Sequence, residues 1–281
     1  VKPTLGPWKW DAGLAAYAIA CETTADFLRA ADWKRGENAT TNSETGDPKT
    51  RLTATYREAV DLMANGWPEG AADARKLSAR LMSGLSETLS TERHAAHWNV
   101  AGDEPDIDRV LTGEPENMLE FRPEPVPSFG RVAALIVDGS VSIGVTAASL
   151  VRIAVLLGAL VDALEANGVR VEVEIRYRSE NVAKVGGRHV DTELLHVLKR
   201  AEQPLDLARV VAGFHPSAFR RVAFRWFECL GNTGSGYGHT AKSRRPLPVG
   251  GVALSLPELT GLTTEAEQLE WITKKTAEMT T

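Results

Sequence analysis

The sequence predicts an α/β protein: an open, mostly parallel sheet with helices on both faces and a helical extension at the N-terminus. Three observations carry this. Val132 to Val137 is an apolar run with the length of a buried parallel strand. A nearly all-apolar helical segment, Val145 to Ala166, follows and is closed by Gly168. A second strand, Val169 to Tyr177, starts at once, which gives the length of a βαβ crossover.

Taken from the start, Gly13 to Ala31 reads as an amphipathic helix with Leu14, Tyr17, Ile19, Phe27 and Leu28 on its buried side. Arg35 to Thr50 is polar and reads as a flexible surface loop. Arg51 to Ala64 and Glu69 to Leu85 read as two helices, joined by the stop signal Asn65-Gly66-Trp67-Pro68. From Ser86 to Arg122 the pattern is less regular, and Pro-rich Arg122 to Pro127 reads as a linker. These features predict a helical region over 1–125, an α/β domain over 126–260 and a C-terminal helix over 261–281, capped by Thr263.

Within the second region, Val171, Val173 and Ile175 alternate with Glu172, Glu174 and Arg176, as in a strand with one face exposed or turned to a groove. Ser179 to Asp191 reads as a loop and Thr192 to Lys199 as a strand. Helices over Leu205–Gly213 and His215–Leu230 and a last strand over Val249–Leu256 complete the pattern.

The loop after the first strand, Asp138-Gly139-Ser140-Val141-Ser142, is the candidate site. It lies at the carboxyl end of a strand, where open α/β sheets bind ligands. Asp138, Ser140 and Ser142 alternate and can converge on one side of an extended turn. One charged and two neutral oxygens suit a hard cation such as Mg²⁺, which takes few carboxylates and keeps several waters. A structural role is the competing reading, with a serine capping the helix and Asp138 bonding loop amides.

The segment IVDGSVSIGV resembles the first strand and metal-site loop of von Willebrand factor A-like (VWA) domains, over about Val126 to Leu259. The segments NGWPEG, LTGEPENM and HPSAFRR are similar to an uncharacterised VWA-like family encoded by phages and plasmids. The first resemblance implies a VWA/Rossmann-like topology and a Mg²⁺ or Mn²⁺ site of Asp138, Ser140 and Ser142. The pattern's later Thr is missing, and Asp206 stands in that region; Glu258, or Glu228, takes the place of its later Asp. A bound cation would accept a carboxylate from a partner.

Other motifs support weaker chemistry. His94 and His97 stand in H-x-x-H, which on a helix can share a metal, but no third ligand has matching spacing. Asp103, Glu104, Asp106 and Asp108 form an acidic cluster that suits a cation, a basic partner or plain solvation. Gly231 to His239 is Gly-rich without P-loop spacing, so no nucleotide is expected. Arg220, Arg221 and Arg225, interleaved with aromatics, and Arg244 and Arg245 form a candidate nucleic-acid-binding face. A net charge of −5 argues against a general nucleic-acid coat. Cys21 and Cys229 lie far apart and read as reduced thiols, which suggests a cytoplasmic setting, or a virion if phage-encoded. Arg152 and Asp162 interrupt the long apolar helix, so no membrane span is expected. No nucleophile–base pair or paired carboxylates stand at catalytic spacing. The expected function is therefore non-enzymatic: a module that binds a protein partner, with nucleic-acid association as the alternative.

Overall fold

The computed structural model describes residues 8–30, 42–85, 92–125, 131–139, 141, 144–185, 188–228, 239–248 and 251–280. The chain opens with β1 (Lys9–Asp11), β2 (Ala16–Cys21), α1 (Thr24–Ala30), α2 (Asn42–Thr45), α3 (Pro48–Arg51), α4 (Tyr56–Asn65) and α5 (Pro68–Leu85). Next come β3 (Glu92–Asn99), β4 (Glu104–Pro105), α6 (Ile107–Thr112) and β5 (Met118–Pro125). The middle of the chain forms β6 (Arg131–Asp138), α7 (Ala147–Ala166), β7 (Val169–Val185), β8 (Arg188–Lys199) and α8 (Leu207–Gly213). A π-helical turn (Ala218–Ala223) leads into α9 (Phe224–Glu228), then β9 (His239–Ala241), β10 (Gly251–Ser255), α10 (Leu256–Leu259) and α11 (Glu265–Thr280).

The main sheet has the order β1-β2-β8-β7-β6-β10, with β9 joined to the far end of β7. Three of the five pairings on that path are parallel: β2 with β8, β7 with β6, and β6 with β10. Five consecutive buried residues, Ala133 to Val137, mark β6 as central, because such a strand must be covered on both faces. The helix after it starts where the Thr146 hydroxyl accepts from the Ser149 amide at 3.1 Å. It ends before Gly168, whose positive φ of 78° suits glycine. The expected strand–loop–helix–strand unit is present, and the fold is α/β.

Alternation along the strands separates two faces. Leu135, Val137, Val173, Ile175 and Leu194 face one way and share a core with α1, α4, α5, α7, α8 and α11. These helices bury their apolar sides in that one cluster, whereas α6 contributes nothing to it. The opposite face holds Glu174, Arg176, Arg178 and Glu193, all buried. A strap over Lys242–Pro248 crosses it, with Ser243 bonded to Glu193 and the Arg245 and Pro246 carbonyls bonded to Arg176. Among the described helices α7 alone has the length and apolarity of a membrane span, and 61% of its apolar window is buried in this core.

Several expectations need correction. Gly13 to Ala31 is not one helix: Ala16–Cys21 is a strand parallel to β8, and the helix starts only at Thr24. Its residues alternate between faces, with Ala16 and Ala18 buried on one side and Tyr17 and Ile19 packed on the other. Ser179 to Asp191 is largely hairpin, since β7 and β8 continue to Val185 and from Arg188. Glu92–Pro125 forms a three-stranded antiparallel sheet, β3-β5-β4, with α6. The H-x-x-H motif therefore lies on a strand and not on a helix, so the helical spacing that would let His94 and His97 share a metal does not apply. Helix α11 is capped by Thr264 rather than Thr263, with Glu267 reaching back to both amides. Part of the expected polar loop forms α2 and α3, while residues 35–41 lie outside the described residues, as do Cys229 and 231–238.

The α4–α5 hairpin is docked through its turn. Gly66 has φ +91°, and a Cβ there would lie 2.8 Å from Ala208 Cβ on α8. The next amide, Trp67 N, donates to Ala208 O at 2.9 Å. The Trp67 ring meets His215 edge-on at 4.8 Å. This region thus shares the core of the sheet.

Candidate functional site

The site is built where β6 and β10 end. Both strands run the same way, with Asp138 level with Ser255. Helix α7 leaves β6 towards β7 on one side, and β10 lies on the other. Connections diverge there, and open α/β sheets form ligand crevices at such points. A cleft of about 310 Å³ opens there between the strand ends and the strap. Its polar walls are Asp138, Arg176, Lys242, Ser243, Arg245, Ser255 and Glu258.

The loop after β6 is held at three points. Gly139 N donates to Arg176 O at 2.7 Å. A Cβ at Gly139 would stand 2.5 Å from Tyr177 Cε1, so the close approach requires glycine. Val141 is buried in the helix-side core. Arg220 donates through Nη2 to Val145 O where the loop enters α7. Asp138 is half-buried and takes part in electrostatic or hydrogen-bonding contacts of its own. Ser140 and Ser142, the other two expected cation ligands, lie outside the described residues.

Arg176 sits opposite Asp138 on the neighbouring strand. Its guanidinium bonds Glu174, Arg245 O at 2.6 Å and Pro246 O at 3.3 Å. It therefore anchors the strap. Arg245 lines the cleft, with Nε 3.9 Å from buried Glu193. The two carboxylates, Asp138 and Glu258, supply hard oxygen donors, and Ser255 adds a hydroxyl. Among the described residues no group of three or more His, Cys, Asp or Glu gathers in ligand geometry. A cation held here would rest on few carboxylates with hydroxyls and water, a donor set that fits Mg²⁺.

Glu258 lines the cleft together with Asp138. Asp206 does not. It follows the end of β8, which runs antiparallel to β7 and so delivers it to the opposite end of the sheet. There it caps α8, accepting from Arg209 N at 3.2 Å and pairing with the Arg209 side chain at 3.3 Å. Its carboxylate serves the helix N-terminus. Glu228 is buried and receives the Ser43 amide at 3.0 Å and the Ser43 hydroxyl. The sequence reading missed Arg176 and Ser255, and it took Lys242 only as part of a basic tip. For Arg176 a signal existed in the charged alternation of β7.

The candidate basic face is dismantled. Arg220, Arg221 and Arg225 are all buried. Arg221 donates to Thr53 Oγ1 at 2.9 Å and to the carbonyls of Ser43, Thr53 and Ala54 at 2.6, 2.7 and 3.0 Å. Arg220 donates to Thr50 O at 2.7 Å, and Arg225 lies 3.9 Å from Glu44. Burial, followed by the charge of Arg51, lowers the proton affinity of both Arg220 and Arg221. These side chains satisfy backbone carbonyls of 43–54 and do not face a phosphate backbone. Arg244 alone of the five stands well exposed, 4.0 Å from Glu180.

No curated protein and no solved structure matches the sequence. A family model does, over residues 16–278, and its description is a domain of unknown function. Because that match spans β2 through α11, both the sheet and the helices packed on it, the chain belongs to the DUF7192 family.

Proposed function

We propose that the protein is a non-enzymatic docking module that receives an acidic group of a protein partner in the cleft at the ends of β6 and β10. The carrying observation is that Asp138 and Glu258 share this cleft with Lys242 and Arg245. Mg²⁺ or Mn²⁺ at Asp138, with Ser140 and Ser142, would offer an open position to a carboxylate. Lys242 and Arg245 at the rim attract the same group directly. The strand order β8-β7-β6-β10, with β8 antiparallel, supports the VWA-like reading. A phage or plasmid origin belongs to the same proposal and rests on the three resembling segments; a cytoplasmic or virion setting rests on that origin and on the reading of the cysteines as reduced thiols.

Burial of Arg220, Arg221 and Arg225 favours a protein partner over nucleic acid. The test is calorimetry of Mg²⁺ and Mn²⁺ into wild type and Asp138→Ala, with and without a Glu-rich peptide as probe. The expected result is metal heat and metal-enhanced peptide binding in wild type only. Equal heats in both proteins would remove the cation. Equal peptide binding by wild type and a Lys242→Ala/Arg245→Ala variant would remove the basic rim. Binding of DNA or RNA at low salt, lost in Arg244→Ala, would favour the nucleic-acid reading instead.

A further inference from the structure

The three-stranded sheet and α6 form an arm, Glu92–Pro125, with unusual surface chemistry. Its three strands pair with one another, β3 with β5 and β5 with β4. Asp106 accepts from Trp98 Nε1 at 3.1 Å, and the Arg109 guanidinium lies 4.3 Å from the Trp98 ring centre, so α6 is fastened beside Trp98. Trp98 and Phe121 are nevertheless exposed, and their cross-strand partners Leu119 and Ala96 put them on one face of the sheet. Ile107, Val110 and Leu111 form an i, i+3, i+4 stripe on α6, and Ile107 and Leu111 are 61% and 79% exposed. A helix stripe of this kind is normally turned into a core. Large apolar side chains exposed along one helix face, with acidic residues beside them, mark a binding surface.

Charge selects the occupant. Between Glu92 and Pro125 there are nine acidic and three basic side chains, a net charge of −6. The whole chain carries −5, so the other residues sum to +1. The arm therefore holds all of the protein's net negative charge. Arg109 and Arg122 are already paired with Glu114 and Glu120. Glu104, Asp108 and Glu116 have no basic partner among the described residues. Arms of two copies would repel each other, the rest of a second copy is nearly neutral, and phosphate backbones and anionic lipids are repelled as well.

We infer that the arm is a second docking surface, which binds a basic amphipathic segment of a partner protein through the exposed Ile107–Leu111 stripe of α6. Lysines and arginines of the partner meet Glu104, Asp108 and Glu116, and its apolar side chains cover the stripe. This surface is independent of the cleft at Asp138.

The test uses the full chain and fluorescent peptides: an amphipathic Lys/Leu peptide, a Lys/Ser peptide of equal charge, and an uncharged Gln/Leu peptide, which the cleft at Asp138 has no charge to hold. The Lys/Leu peptide is expected to bind about tenfold or more tightly than either control, the value of one well-buried apolar anchor. Ile107→Ser/Leu111→Ser is expected to abolish that preference while leaving the weak Lys/Ser binding intact. Glu104→Lys/Asp108→Lys/Glu116→Lys is expected to lose both, and circular dichroism checks that each variant is folded. Lys242→Ala/Arg245→Ala serves as a cleft control and is expected to bind as wild type does. Equal binding of the Lys/Leu and Lys/Ser peptides would overturn the inference, as would arm variants that bind like wild type. Concentration-dependent dimerisation that is lost in Ile107→Ser/Leu111→Ser would assign the surface to a second copy and overturn it too.

Discussion

At the scale of single residues, the site depends on a hydrogen atom where other residues carry a Cβ. Gly139 lets the chain turn off β6 against the Tyr177 ring, and alanine there would intrude to 2.5 Å. Gly139→Ala is therefore expected to cost about 1–3 kcal/mol, as overpacking in a dense core does. Urea unfolding checks this, and an unchanged midpoint would mean that the loop is not pinned there. Arg221 makes the complementary case. It is wholly buried, and its bonds go to the 43–54 segment. Arg221→Met would leave buried carbonyls unpaired, at about 1–3 kcal/mol for each that finds no water. Faster protease cleavage within 43–54 is the expected sign, and wild-type cleavage rates would refute that role. Sequence reading found Asp138 because an apolar run points at it, and Glu258 through a resemblance in spacing. It misjudged Arg220, Arg221 and Arg225 because arginine is almost never fully buried without partners. Their acceptors lie about 170 residues away, as with Arg221 and Thr53, |i−j| 168, and no local pattern announces them.

At the scale of elements, regularity decided what could be read. The run Val132–Val137 and the apolar helix after it satisfy one period each, so β6, α7 and the start of β7 were legible. Ala16–Cys21 was not, because alanine favours helices and its small side chains hide a period of two. Only β8, more than 150 residues later in the chain, makes it a strand, with Ala16 level with Asp191. The strap shows the same dependence on distant partners. Lys242–Pro248 contains no periodic pattern, and it is held by Arg176 and Glu193. Removing the side chain that holds it should release the whole element. Arg176→Met is expected to cost about 3–5 kcal/mol, since Glu174 is left buried without its cation. Hydrogen exchange should then rise in 243–247 while α7 remains protected. Adding Glu174→Gln should recover part of the stability but not the protection of the strap. Recovery of both would show that charge balance alone, rather than the carbonyl contacts, holds it.

At the scale of the whole molecule, one core under one face of the sheet encloses two histidines. His196 lies parallel to Phe27 at 4.1 Å, and His215 bonds Ser217 beneath Trp67. Burial lowers their pKa values to about 3 and about 4. Both histidines are therefore neutral in the folded protein and would take up a proton near pH 6.5 when unfolded. The unfolded chain then binds more protons as pH falls, so the stabilisation is complete above pH 6.5 and is lost progressively below it. At pH 5 each histidine should cost about 2 kcal/mol relative to neutral pH. This window lies above the usual carboxylate range, so ordinary acidic groups contribute little to it. Glu172 acts in the opposite direction: burial, then the charges of Glu174 and Glu202, raise its pKa, so the folded state holds its proton more firmly as the medium acidifies. The net expectation is a fall in unfolding free energy between pH 6.5 and 5, measured in urea at constant ionic strength. His196→Phe keeps a flat ring against Phe27 and removes the titrating group, so it should flatten that slope by close to half. A slope unchanged in this variant would mean that His196 is protonated inside the fold, beside Phe27 and the Thr24 hydroxyl, and would refute its part in the pH dependence.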